Sequence, residues 1–245
     1  MRIGLEIFAA AGAKGATNPG LLANNAQVRN IQPAASVNYH MRKSFLLTLL
    51  ALMGLTASTA FSQEKPASSS QTAIFAGGCF WCLQKPFDKT PGVSKTVVGY
   101  CGGGEANPTY EQIAGKKTGH RESIEVTFDP TQVSYEQLLD VFWRQIDPTQ
   151  ADGQFADRGL PYKAAIFYSN EEEKKLAEAS KEKLSQSRKF TKPLVTEILP
   201  AAKFYAAEEY HQKYYIKNAG DYQAYYVGSG RAGFLKKMWG DEASQ

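Results

Sequence analysis

The chain has 245 residues, 43% of them apolar, which is enough for a packed core in one or two domains. Its formal charge of +4 comes from one end: residues 1–62 hold five basic side chains (Arg2, Lys14, Arg29, Arg42, Lys43) and one acidic (Glu6), so the totals of 28 and 24 leave 23 of each sign beyond them. A near-neutral domain gives no electrostatic case for nucleic acid or an anionic membrane as partner.

Residues 1–40, rich in Ala, Asn and Gly and without a sustained period, read as a disordered extension upstream of the true start at Met41. Residues 41–62 read as a signal peptide. Met41-Arg42-Lys43 is a short positive region, Phe45 to Leu55 is apolar apart from Thr48 and Gly54, and small residues around Ala60 suit cleavage. The run is short for a membrane span. The expected location is periplasmic or secreted, with no stable membrane association after cleavage. Residues 63–72 read as a disordered linker, 73–240 as the folded domain and 241–245 as a tail.

Within the domain, Ala73–Ala76 is a short buried strand running into Gly77-Gly78. Glu122–Phe128 alternates polar and apolar residues and predicts a strand. Ser134 with Gln137 predicts a capped helix whose apolar face is Tyr135, Leu138, Leu139, Phe142 and Ile146. Ala164–Tyr168 is another strand. Asn170 with Glu173 starts a charged helix to about Arg188. Val195–Leu199 is expected as a strand and Ala207–Lys217 as a final helix. Alternating strands and helices predict an α/β (α+β) fold, a two-layer sandwich.

The cysteines are three, Cys79, Cys82 and Cys101, an odd number crowded into a short stretch. That suits local thiol chemistry better than a structural disulfide framework. Cys79 follows Gly77-Gly78 at a strand-to-helix turn, where the helix dipole favours the nucleophilic thiolate. Cys-x-x-Cys alone also fits a thiol–disulfide oxidoreductase. A metal or haem carrier is disfavoured: Leu83 stands where haem attachment needs His, and zinc would lack a fourth ligand other than His120.

From Gly78-Cys79-Phe80-Trp81 onward the chain resembles the A-type peptide methionine sulfoxide reductases. Gly99-Tyr100, Asn107-Pro108-Thr109-Tyr110, Gly119-His120-Arg121-Glu122, Phe128-Asp129-Pro130, Asp147-Pro148-Thr149 and Asp157-Arg158-Gly159-Leu160-Pro161-Tyr162 follow in family order. The resemblance covers about residues 73–215. It implies an α/β sandwich with a mixed sheet and much coil, and reduction of the S epimer of methionine sulfoxide, free or in proteins. It also implies Cys79 as nucleophile, Glu122 as proton donor, Tyr110, Tyr162 and Asp157 as further site residues, and Phe80 and Trp81 as the pocket for the substrate methyl. No metal or cofactor is implied. The partners are oxidised proteins and free methionine sulfoxide, with an external thiol reductant of thioredoxin type.

Some positions depart from the family pattern. A resolving cysteine is absent after Gly220, which leaves Cys82, Cys101 or an outside thiol to clear the sulfenic acid. Cys101 is expected in a Gly-rich loop. Gln84, where many relatives carry Glu, is assigned to structure, as is His120. Arg121 is expected to point away from Glu122, because neighbours on a strand face opposite sides.

Overall fold

The computed structural model describes residues 69–244; the expected extension, the expected signal peptide and most of the expected linker lie outside them. The first strand, β1 (Gln71–Ala76), starts two residues before the expected domain boundary. It leads through Gly77-Gly78 into helix α1 (Phe80–Asp88), then strand β2 (Val93–Cys101) and the short helix α2 (Tyr110–Ala114). Next come β3 (Arg121–Phe128), α3 (Tyr135–Trp143), and a two-residue ribbon of β4 (Gly153–Gln154) and β5 (Asp157–Arg158). The order continues with β6 (Ala165–Tyr168), α4 (Glu171–Gln186), β7 (Glu197–Pro200) and β8 (Tyr205–Ala206). Three helices close the chain: α5 (Tyr214–Lys217), α6 (Ala219–Gly228) and α7 (Arg231–Trp239). Among the described residues no helix is long and apolar enough to cross a membrane.

The main sheet has the order β7-β6-β1-β3-β2-β8 and is mixed: β6 and β7 run parallel, and the other neighbours antiparallel. One face carries the larger core, in which Phe75, Ile124, Val126 and Ile166 meet Leu83 and Phe87 of α1 and Leu138 and Phe142 of α3. The other face carries a smaller cluster of Ile74, Ala76, Cys101, Ala165 and Phe167. The period-2 alternation of each strand assigns its residues to the two faces. Glu122 follows the parity of Ile124 and Val126, which puts it on the α1 side.

Both expected caps form, the first as a full capping box. Ser134 accepts from the Gln137 amide at 3.2 Å while the Gln137 side chain returns to the Ser134 amide at 2.8 Å. Asn170 accepts from the Glu173 amide at 2.9 Å. Such a cap contributes about 1 kcal/mol, which matters most for helices of nine residues such as α3.

Two expectations are corrected. Cys101 is not in a loop; it ends β2, buried, its sulfur 3.5 Å from the Ala202 carbonyl oxygen. The single helix expected over Ala207–Lys217 is instead a 3-10 turn at Glu209–His211 and the four-residue α5, broken at Lys213, which adopts φ +55°. Two further helices follow, α6 and α7. Lys213 is held by its amide bond to Gln84 Oε1 (2.6 Å) and by an ion pair with Asp88, so a tertiary contact overrides local helix propensity.

Candidate active site

Gly77 and Gly78 turn the chain off β1 so that Cys79 caps the N-terminus of α1. Gly78 has φ +81°, and a Cβ there would lie 2.5 Å from Gln154 Cβ, so both backbone and space demand glycine. The first turn of α1 is tight, with the Cys82 amide donating to the Cys79 carbonyl at 3.1 Å. The two thiols are hydrogen-bonded to each other and packed with Tyr222.

Glu122 approaches the same helix start from β3. One of its oxygens accepts from the Phe80 amide at 3.1 Å, so the carboxyl is seated on the first amide of α1 beside Cys79. Burial pushes it up to about 8; the Phe80 bond works against this, and Asp157 and Cys82 add to the rise. At neutral pH it is mostly a neutral acid, able to donate a proton.

The structure gathers Tyr110, Tyr162 and Asp157 around this pair. Tyr110, at the start of α2, is pushed up to about 12 by burial and by Glu122, Cys79, Tyr210 and Asp157. Tyr162, in the turn Leu160–Tyr162, is raised by burial and by Glu122, Tyr110, Asp157 and Cys79. Both phenols therefore stay protonated as hydrogen-bond donors. Asp157 does not stand alone: it accepts a hydrogen bond from the Tyr225 hydroxyl of α6.

Phe80 and Trp81 form the aromatic wall, but each is more enclosed than the sequence suggests. Phe80 is buried between Tyr100 and His211. Trp81 donates from Nε1 to His211 Nδ1 at 3.1 Å, and Tyr214 lies flat on its indole, with centroids 3.8 Å apart. Glu208 holds the far side, accepting from the Tyr100 hydroxyl (2.8 Å) and the Tyr110 amide (3.0 Å).

At Cys79 the dipole of α1, which favours the thiolate, is opposed by its surroundings. Burial, the hydrogen bond with Cys82, and the charges of Cys82, Glu122 and Asp157 hold the Cys79 thiol well above the ordinary range. Cys82 is shifted the other way: its bond from Cys79 and the charge of Arg231 outweigh its burial.

Cys101 is set apart from this group. It lies in the cluster on the opposite face of the sheet, while its neighbour Tyr100 packs against Phe80. Gln84 bridges Thr96 Oγ1 (3.2 Å) and the Lys213 amide, a structural role. His120 is also structural: its ring accepts from the Gly103 amide at 3.2 Å and reaches the Glu105 carbonyl at 2.8 Å. Arg121 turns away from Glu122 and pairs with Glu197 on β7. Among the described residues no group of three or more His, Cys, Asp or Glu side chains is placed to hold a metal ion.

The sequence pattern of the family described as peptide methionine sulfoxide reductase matches residues 71–243. The chain belongs to that family. This reductase is 56% identical over 174 residues to the peptide methionine sulfoxide reductase MsrA of Bacillus subtilis, covering 71% of this chain and 98% of that one. It is 54% identical over 171 residues to the enzyme of the same name from Listeria monocytogenes, covering 70% and 97%. Among solved structures it resembles methionine sulfoxide reductase A of Corynebacterium diphtheriae (35% identity, TM-score 0.55, covering 61% of this chain and 76% of that one). It also resembles reduced Mxr1 of Saccharomyces cerevisiae (29% identity, TM-score 0.59, covering 63% and 88%). The reductase is an enzyme that reduces methionine sulfoxide, and the fold agrees with these neighbours.

The family match runs well past residue 215, where the resemblance read from the sequence stops, and takes in α6 and α7. The residues that sequence reading missed lie in the C-terminal part of the chain: Glu208, His211, Tyr214, Tyr225 and Arg231. One signal for them was available, five tyrosines between residues 214 and 226, too dense for a solvated tail.

Proposed function

We propose that the chain reduces the S epimer of methionine sulfoxide, free or in proteins, through Cys79, a sulfenic acid and a Cys79–Cys82 disulfide. The observation that carries this reading is a buried, proton-bearing Glu122 seated beside the Cys79 thiol at the head of α1. The Cys79 thiolate attacks the sulfoxide sulfur. Glu122 gives its proton to the sulfoxide oxygen, and Tyr110 and Tyr162 donate hydrogen bonds to that oxygen as charge develops on it. The protonated oxygen then passes from the substrate sulfur to Cys79 as the bond between the two sulfurs breaks; the sulfoxide is reduced by two electrons, methionine leaves, and Cys79 is oxidised to a sulfenic acid. Phe80 and Trp81 seat the substrate methyl, and Asp157 holds Tyr225 against Trp81.

Cys82 then attacks the Cys79 sulfur; the hydroxyl leaves with a proton as water, and a disulfide forms. The helix start is built to allow this. Pro86 has no N–H to bond the Cys82 carbonyl four residues back, so the first turn can deform without losing that bond. A dithiol reductant of thioredoxin type supplies the two electrons that reopen the disulfide. Cys82 also borders a cavity of about 320 Å³ lined by Lys85, Tyr222 and Tyr226, a route to the sulfur separate from the aromatic wall.

Incubation with the two sulfoxide epimers and dithiothreitol tests the assignment: the S form is consumed and the R form stays. Consumption of neither, with disulfides reduced instead, would make the protein a general thiol oxidoreductase. Cys82→Ser is expected to form one methionine per enzyme, then stall with thioredoxin as reductant. An unchanged steady-state rate removes Cys82 from the resolving role.

We also propose export to the periplasm or beyond, on the strength of the charge and apolar pattern of residues 41–62. The native protein is then expected to begin near residues 61–63. A mass that includes the upstream residues overturns the export reading.

A further inference from the structure

His211 ends the turn Glu209–His211, is 1% exposed, and touches three residues of the site. Its ring lies against Phe80, with centroids 5.0 Å apart, and against Tyr110, at 4.6 Å. Its Nδ1 accepts from the Trp81 indole at 3.1 Å. An indole nitrogen can only donate, so Nδ1 carries no proton; the ring is neutral and its proton sits on Nε2. Nε2 lies 3.9 Å from a Glu208 carboxylate oxygen, which favours that tautomer. Burial holds His211 below the usual histidine range, against the charges of Glu208 and Glu111. Both flanks of the turn are tied down. Gln212 bonds the Val98 amide (3.0 Å) and the Val98 carbonyl (2.9 Å) of β2, and Glu208 accepts from the Tyr110 amide (3.0 Å).

We propose that His211 is a positioning residue for substrate binding: through the bond that Nδ1 accepts from Trp81 Nε1, it fixes the indole that walls the methyl pocket. The inference rests on the reading of Phe80 and Trp81 as that pocket. The rings of Tyr214, flat on the indole at 3.8 Å, and Tyr225, edge-on at 6.1 Å, also border Trp81. Ring contacts of this kind resist tilting, but they are weakly directional and leave the indole free to turn within its own plane. A hydrogen bond at the ring edge is directional and fixes that turn. The wall meets the substrate methyl in the bound sulfoxide and in the transition state alike. Its loss therefore weakens binding, and shows in KM more than in kcat.

The test follows the indole by nitrogen NMR and the reaction by kinetics. The chain has three tryptophans, and two give reference signals: the Trp143 indole donates to Ser180 Oγ at 2.8 Å, and that of Trp239 has no partner. In isotope-labelled Cys79→Ser, methionine S-sulfoxide should move the Trp81 indole signal and leave the other two. A Trp81 signal that stays in place means that the substrate does not meet this wall; the methyl-pocket reading then fails, and the His211 assignment with it. With that shift seen, the variants test His211 by itself. His211→Phe keeps a ring against Phe80 and Tyr110 but has no acceptor. Its KM for methionine S-sulfoxide is expected to rise by roughly five- to tenfold, the weight of one neutral hydrogen bond, with a smaller change in kcat. His211→Asn places an amide oxygen where Nδ1 stood, and should bring KM and the Trp81 signal back toward wild type. A KM raised equally in both variants, or in neither, overturns the His211 assignment alone. The wild-type enzyme supplies a reading that needs no variant. Its His211 Nδ1 should show the shift of an unprotonated ring nitrogen at neutral pH, and the shift of a protonated Nδ1 overturns the assignment.

Discussion

Cys79→Ser abolishes sulfoxide reduction. The sulfoxide sulfur needs a soft nucleophile that can then carry the oxygen, and a serine hydroxyl can do neither at neutral pH. Loss of a covalent nucleophile of this kind lowers turnover by on the order of 10⁴-fold or more. The substitution removes little else. The Cys79 side chain accepts no capping bond from the amides of α1, so the helix start does not depend on the sulfur. The variant is expected to fold with unchanged secondary structure and to show no methionine by amino-acid analysis after prolonged incubation with dithiothreitol. Methionine appearing at the wild-type rate would overturn the mechanism from its first step.

Glu122→Gln comes next in size, with an expected fall in turnover of about 10²- to 10³-fold, the usual weight of a general acid. The amide keeps an oxygen for the Phe80 amide but has no acidic proton. In the wild type, the acid form is present below about 8 and is lost as pH rises through that value, so activity declines on the alkaline side. The variant's low residual rate should lose that limb. Stability provides an independent reading. The folded carboxyl binds its proton up to about 8, whereas the unfolded one releases it near 4.5, so the folded state gains protons relative to the unfolded state between those values. Stability from this group is full below 4.5 and is lost progressively up to about 8. At pH 7 the loss is on the order of 3 kcal/mol, some 2.5 pH units at about 1.36 kcal/mol each. Glu122→Gln removes it, and denaturant melts at neutral pH should show a more stable protein that is nearly inactive. Equal stability of the two proteins at pH 5 and pH 8 would mean that Glu122 is not held as a buried acid.

Much of the frame was legible in the residues. β1 and β6 were readable as short apolar runs, β3 by its period-2 alternation, and α3 and α4 by their caps. β2 was missed: Val93–Cys101 carries Gly99 and a register shift between Val93 and Lys95, which blur its alternation. α2 was missed because five residues give no period, although its Thr109–Gln112 capping box is as clear as that of α3.

The sequence by itself determined which side chains could do the chemistry. A thiol after Gly77-Gly78, a carboxyl on a strand and tyrosines in ordered motifs are fixed by residue identity and local turn chemistry. Only the tertiary structure decided how those groups are charged and which sulfurs can meet. Cys82 faces Cys79 and Cys101 does not, because strand parity sends Tyr100 and Cys101 to opposite faces of the sheet. The protonation of Glu122 and the opposite shifts of the two thiols follow from burial and from groups far apart in the chain. Arg231 lies 154 residues from the Gly77 carbonyl it binds. Electrostatic energy depends on distance and dielectric in the folded interior, and no local pattern records either.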